Sequence, residues 1–248
     1  MLKTVRYLLL QVRNPDDPMR GHEVECFSRA LQTTAARIGV VDLLSEHASK
    51  ARLAAADVVL LGGSGHYSVA HETSLAEPAE EWLKRAFDVL RGLYARRQPT
   101  FASCWGFQAM ARALGGQVVH DAARAEVGTH AVQLTRSGHD DPVFGPLGET
   151  FLGQMGHEDR VHELPPGATL LASSDKVTHQ AYKLDGAPIY CTQFHPELNR
   201  ADLLRRLDAY PEYVRHLTGM STQEFAATIR DTPQTEALFP RFVREVLD

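Results

Sequence analysis

The chain has 248 residues, 44% hydrophobic and 23% charged, ordinary globular values that exclude a disordered or fibrous protein. Its 26 basic and 31 acidic residues leave a formal net charge of −5, and no basic stripe runs along it, so nucleic acid is not an expected partner. The three cysteines, Cys26, Cys104 and Cys191, are widely spaced and odd in number, which suits a reducing compartment better than a disulfide framework or a zinc cluster.

The N-terminal apolar run, Tyr7 to Leu10, is too short for the hydrophobic region of a signal peptide. No window approaches the ~18–20 apolar residues of a membrane span. The expectation is a soluble, cytoplasmic protein with no membrane partner.

Val5 to Val12 predicts a buried strand. His22 to Ile38 places Val24, Phe27, Leu31, Ala35 and Ile38 at steps of three and four, which predicts a helix stopped by Gly39. Strands follow at Val40 to Leu44 and Asp57 to Leu61, the latter ending in Gly62-Gly63-Ser64-Gly65. Glu77 to Arg97 predicts a long helix through Trp82, Phe87, Leu90 and Leu93. Pro99 to Ser103 predicts a strand, and Trp105 to Leu114 a helix stopped by Gly115-Gly116. Strands separated by helices predict a mostly parallel sheet with helices on both faces, an α/β fold.

Beyond residue 117 the pattern changes. Val118–Val119, Ala131–Thr135, Thr169–Ser173, Thr178–Leu184 and Ile189–Phe194 are short strand candidates between turn signals such as Asp185-Gly186, which predicts added antiparallel strands. From Arg200 the chain reads as helical, broken near Pro211, Gly219 and Pro233. The expected organisation is one domain over 1–248, with a core at about 5–200 and a helical extension at 201–248.

Cys104 lies between a strand pattern and a helix pattern, with Ala102 two residues before and Gly106 two after. A nucleophile held on a sharp strand-to-helix turn needs small neighbours there, because strand and helix approach closely. A helix N-terminus lowers a thiol's pKa, and the Trp105 N–H is placed to meet a developing oxyanion. Gln108 falls one turn further on, on the same helix side. His195-Pro196-Glu197 follows the last strand candidate. Residues two apart in extended chain share a side, so Glu197 is positioned to orient the His195 imidazole, the logic of a base with its own orienting acid. The glycine turn at 62–65 permits close backbone approach at a strand end and has no phosphate-loop Lys. Taken singly, each segment also has a plainer reading: a buried free cysteine, a turn after a strand, a loop.

Taken together, Ala102-Ser103-Cys104-Trp105-Gly106-Phe107-Gln108 resembles the Cys-x-Gly-x-Gln elbow of class I, triad-type glutamine amidotransferases, and Phe194-His195-Pro196-Glu197 resembles that family's His-Pro-Glu motif. Leu61 to Gly65 is similar to its oxyanion strand. Met155-Gly156-His157-Glu158-Asp159-Arg160-Val161 resembles the Ser-His-x-Asp-x-Val segment of the glutaminase domain of GMP synthetase. Two positions depart from the pattern: Ala102 stands where Gly is usual, and Gly156 stands at the Ser. The resemblance covers about residues 5 to 200 and implies a flavodoxin-like amidotransferase fold. It further implies Cys104 as nucleophile, His195 and Glu197 as its partners, and Gly63 and Trp105 as oxyanion donors. Gln108, Gly65, Met155, Gly156 and His157 are implied as substrate contacts, with no cofactor.

The implied activity is hydrolysis of the glutamine side-chain amide through a γ-glutamyl thioester, either as a separate amidotransferase subunit that passes ammonia to an acceptor on a synthetase subunit or as a stand-alone hydrolase. A γ-glutamyl peptidase with the same triad is the alternative enzyme, and a silent binding member of the superfamily is the alternative without activity. No metal site is expected, since the 12 histidines include no His-Glu-x-x-His pattern or close His/Cys cluster. His66 and Tyr67 are expected at the surface, with a place in the pocket wall as the alternative; Arg205-Arg206 is expected on a solvated face, with a partner-docking surface as the alternative; Cys26 and Cys191 are expected as inert packing residues.

Overall fold

The structure is a computed structural model that describes residues 5–70 and 80–247. The first half alternates β1 (Tyr7–Gln11), α1 (Met19–Ala30), β2 (Ile38–Asp42), α2 (Lys50–Ala55), β3 (Val58–Leu61), α3 (Glu81–Ala95), β4 (Thr100–Ser103) and α4 (Trp105–Ala113). β1, β3 and β4 are buried at every position, as strands covered by helices on both faces must be. Side chains alternate between two cores. Leu8, Leu10, Val59 and Leu61 join Phe87, Leu90 and Phe107 on one face, and Leu9, Val58 and Leu60 join Phe27 and Phe101 on the other, the two-residue period of a strand.

Next come β5 (Gln117–His120), β6 (Glu126–Leu134), the single turn α5 (Arg136–His139), β7 (Thr150–His157), β8 (Asp159–Glu163), β9 (Ala168–Ser173), β10 (Ala181–Leu184) and β11 (Ile189–Thr192). The main sheet has the order β2-β1-β3-β4-β11-β10-β9-β6-β7, and β5 pairs with β8 in a separate ribbon. β2, β1, β3, β4 and β11 are parallel to one another; the strands beyond β11 pair antiparallel. The parallel pairing of β4 with β11 carries the chain back beside the elbow, so the residues after β3, β4 and β11 emerge at one end of the sheet. That end is where α/β sheets place their sites.

Several expected boundaries move. The first helix starts at Met19 and stops at Ala30, not Ile38. Gln32 adopts φ 53°, Ala35 begins an exposed 3₁₀ turn, and Ile38 opens β2. Gly39 therefore sits inside β2 opposite Leu8, not at a helix stop. The buried face of α1 includes His22 and Glu23 as well as Cys26 and Phe27, so counting apolar residues alone extended the helix past its end. The expected helix at Glu77 to Arg97 is α3, and the part of that expectation at 77–79 lies outside the described residues. β7 and β8 had no strand prediction. Gly153, Gln154 and Gly156 are poor strand formers, and β7 is held by its eight-residue ladder with β6 rather than by propensity.

The chain after residue 200 forms α6 (Arg200–Ala209), α7 (Pro211–Thr218), α8 (Thr222–Ala226), α9 (Pro233–Glu236) and α10 (Leu238–Leu247). The breaks match the Pro and Gly signals, but these helices are not peripheral. Phe239 packs edge-on against Phe27 and, tilted, at 4.5 Å from Phe101, and Phe242 meets Phe101 and Tyr190. Among the described residues no helix is long and apolar enough to cross a membrane.

Candidate active site

Cys104 occupies the turn between β4 and α4 with φ 52° and ψ −106°, left-handed backbone that costs a non-glycine residue ~1–3 kcal/mol. Two backbone hydrogen bonds fasten this elbow to its neighbours. The Cys104 N–H donates to Thr192 O at 2.8 Å, and the Gly106 N–H donates to Gly62 O at 3.1 Å. The first ties the elbow to the end of β11 and the second to the glycine turn. Gly106 has to be glycine here, since a Cβ would stand 2.6 Å from Leu61 Cβ and 3.2 Å from Ala102 Cβ.

Three residues beyond β11, His195 reaches the same place. Its Nδ1 lies 2.6 Å from Glu197 Oε1. Glu197 is wholly buried, and its second oxygen accepts a hydrogen bond from Ser103 Oγ at 3.1 Å. A Cβ on Gly63 would lie 2.8 Å from His195 Cε1 and 3.6 Å from Cys104 Cβ, so the glycine turn closes the third side. Burial opposes charge on His195, but the negative charges of Glu197 and Cys104 and hydrogen bonds to both outweigh it and raise its pKa to about 9. Burial likewise opposes charge on Glu197, and the facing His195 and Arg206 hold its carboxyl below the usual range. Trp105 is the first residue of α4, where an N–H has no partner inside the helix.

Gly63, Cys104, Trp105 and His195 line one cavity of about 360 Å³. Gly65, Gln108, Gly156 and His157 line it as well. Gln108 is buried, and its amide donates to Asp159 O at 2.8 Å and Gln193 Oε1 at 3.0 Å. Gly156 O lies 3.9 Å from Cys104 Sγ, and a Cβ on Gly156 would meet open space. His157 is fastened by Asp159 O at 3.1 Å and by Glu126 Oε2 at 3.2 Å. Met155 is different: its side chain is fully buried in the apolar core and does not line the cavity, because it points to the opposite face of β7 from Gly156.

Several lining residues went unrecognised in the sequence. His66 is exposed, as expected, and Tyr67 is half-buried, and both also line the cavity. Arg206, expected on a solvated face, is buried with Nη2 3.7 Å from Glu197 Oε1, whereas Arg205 pairs with Glu25 at the exposed surface. Tyr210 and Tyr213 descend from the C-terminal helices. Arg13 also lines the cavity but is enclosed by Asp17 at 2.9 Å and Glu23 at 3.2 Å. Only the helical period of α6, which puts Leu203, Arg206 and Leu207 on its buried face, hinted at Arg206.

Cys26 and Cys191 are buried away from this chemistry, and burial pushes both thiols up to about 12. The ligand atoms of Cys26, His22 and Asp202 do lie within 4.8 Å of one another. Asp202, however, is engaged by Arg29 and His22 and by its own helix cap, so the cluster fastens α6 to α1.

Parallel strands that deliver a strained cysteine, a carboxylate-paired histidine and a glycine turn to one cavity define an α/β protein of the flavodoxin-like amidotransferase architecture. A sequence model of the glutamine amidotransferase class-I family matches residues 24–202, and the chain belongs to that family. It is 35% identical over 114 residues to a glutamine-hydrolysing GMP synthase of Leifsonia xyli, a match that spans 45% of this chain and 22% of that protein. It is 27% identical over 160 residues to gamma-glutamyl peptidase 3 of Arabidopsis thaliana, spanning 62% of this chain and 61% of the relative. The match thus covers about a fifth of the GMP synthase's length. A crystal structure of a glutamine amidotransferase from Thermotoga maritima superposes with a TM-score of 0.74 at 18% identity and covers 99% of both chains. One from Methylobacillus flagellatus gives 0.67 at 17%, covering 97% of this chain and 95% of that one.

Proposed function

We propose that this protein hydrolyses γ-glutamyl amides through a Cys104 thioester, with glutamine as the simplest substrate. The observation that carries the reading is the convergence of Cys104, held at φ 52°, with a His195 whose Nδ1 sits 2.6 Å from Glu197. His195 takes the thiol proton, Cys104 Sγ attacks the γ-carbonyl carbon and a C–S bond forms. The carbonyl oxygen takes the negative charge and faces the Gly63 and Trp105 N–H groups, donors of a kind worth about 10²–10³-fold in rate each. The intermediate collapses, the C–N bond breaks, and His195 gives its proton to the departing nitrogen. Water, deprotonated by His195, then attacks the thioester; the C–S bond breaks and glutamate leaves. Gln108, Gly65, Gly156 and His157 shape the pocket for the glutamyl group.

With glutamine the leaving group is ammonia, and likeness to the GMP synthases favours its delivery to a separate synthetase subunit. A second reading keeps the same triad and makes the leaving group an amino acid or peptide; likeness to the Arabidopsis peptidase over 61% of its length favours it. Glutamate release from glutamine and from a γ-glutamyl peptide panel tests the proposal. Turnover that disappears in Cys104→Ser is expected, and turnover of neither class would sink it.

A further inference from the structure

Arg206 is a charged side chain of the cavity wall to which the chemistry above assigns no step. It is 8% exposed, it lines the cavity, and its Nε and Nη2 have no hydrogen-bond partner among the described residues. Its Nη1 lies 3.4 Å from His195 Nδ1, but that nitrogen is directed at Glu197, so it has no lone pair to offer when it carries the proton. Glu197 Oε1 is 3.7 Å from Nη2, beyond hydrogen-bond range. Arg13 makes the contrast within the same cavity: two carboxylates enclose its guanidinium. A buried guanidinium with unmatched donors is costly unless an anion completes it.

The position of Arg206 selects which anion. It meets the His195 imidazole at Nδ1, the nitrogen turned toward Glu197, while the other ring nitrogen protonates the departing nitrogen, so the guanidinium lies one ring-width from the leaving group, within reach of a carboxylate carried just beyond that nitrogen. Gln108 and Gly156 belong to another wall, built by α4 and β7 and joined to the start of β8 through the Gln108–Asp159 hydrogen bond. The segment that carries Arg206 also contributes Leu198, Leu203, Leu207, Tyr210 and Tyr213 to the cavity, apolar apart from two tyrosine hydroxyls, of which that of Tyr210 is engaged by Asp17. In an α-amino acid leaving group the carboxylate carbon is two bonds from the departing nitrogen, and the side chain projects from the atom between them.

We propose that Arg206 forms an anion subsite for the leaving group, so that the preferred substrates are γ-glutamyl conjugates of α-amino acids with apolar side chains and a free carboxylate. This rests on the amidase reading above and selects within it. Hydrolysis breaks the γ-glutamyl C–N bond and releases the free amino acid, whose amine carries the proton from His195 and whose carboxylate leaves the Arg206 subsite.

The test is a cycle between residue and substrate. γ-Glutamyl-leucine and its carboxamide-capped analogue are compared in the wild type, Arg206→Met and Arg206→Lys. The wild type should prefer the free acid by about 10- to 100-fold in kcat/KM, the size of a charge-assisted hydrogen bond. Arg206→Met should lose that preference, and Arg206→Lys should restore part of it. A further arm needs no variant: free leucine should inhibit the wild type competitively, and leucine amide should do so at least tenfold more weakly. Equal rates on capped and uncapped substrate in the wild type would overturn the subsite while leaving the amidase reading intact. So would a variant that slows both by the same factor, since that is what loss of Glu197 positioning alone does. No turnover of any γ-glutamyl compound would remove both.

Discussion

The strand-end wall of the cavity and its C-terminal wall are built differently. Gly62 to Gly65 and Cys104 to Gln108 are short runs of neighbouring residues whose backbones set the geometry: a left-handed cysteine, a glycine without room for a Cβ, an unpaired first turn of helix. The other wall is made of single side chains, Arg206 on α6, Tyr210 at the α6–α7 junction and Tyr213 on α7. They are placed by the packing of α6 on α1 through Asp202 with Arg29 and His22 and by the link from Tyr210 to Asp17 at 2.9 Å. The proposed reacting groups are thus specified by strained local backbone, and the proposed surroundings of the leaving group by long-range packing. Changes to the first wall should act on chemistry, and changes to the second on which substrate is chosen.

The sharpest division is expected at the cysteines. Cys104→Ala should abolish turnover, a loss on the order of 10⁴–10⁶-fold, whereas Cys26→Ala and Cys191→Ala should cost about 1 kcal/mol of stability each and leave the reaction running. Glutamate release and thermal melting of the three variants measure this, and persistent turnover in Cys104→Ala would break the comparison at its root.

His195→Ala should cost more than Glu197→Gln, because one removes proton transfer and the other only its orientation, and the double variant should be little worse than His195→Ala. Strictly additive losses would argue that the pair does not act as a unit. The pH dependence sharpens the same point. With the His195 pKa raised to about 9, kcat/KM should fall above that pH as the imidazolium is lost. The ring's resonance should titrate lower in Cys104→Ala and lower still in Glu197→Gln, since Glu197 is the larger of the two charges raising it. Stability follows the same sign. The contribution of protonated His195 is complete below its unfolded value near 6.5 and fades as pH rises through about 9.

Gly63→Ala places a Cβ 2.8 Å from His195 Cε1, so the ring must shift. A loss of about 10²-fold in kcat with little change in melting is expected. An unaffected kcat would show that the glycine turn has slack.

The smallest effect on turnover is expected from Gln108→Ala. Read from sequence alone, this residue faces the pocket as a free helical side chain. In the fold it holds Asp159 O and Gln193 Oε1, so its removal should cost about 1–3 kcal/mol of stability along with a severalfold drop in kcat/KM. Calorimetric melting beside kinetics separates the two; an unchanged melting temperature would return Gln108 to a purely substrate-facing role.

What the sequence determined by itself was the alternation of strands and helices, the elbow at Cys104, the His195–Glu197 pair and the glycine turn. Each is a local pattern whose geometry follows from nearby residues: small neighbours where backbones touch, two-residue spacing in extended chain, glycine where a Cβ has no room. The tertiary structure alone decided the end of α1, where the left-handed Gln32 and a buried polar face override apolar periodicity. It also decided that β7 exists, since pairing with β6 supplies what its glycines lack. It turned Met155 away from the cavity while its neighbour Gly156 faces Cys104. It brought Arg206 and Tyr213 over the site from a segment that carries no motif. Burial of a charged or aromatic side chain depends on what packs across from it, and for residues 200–218 that partner lies on α1 and at the strand ends, far away along the chain.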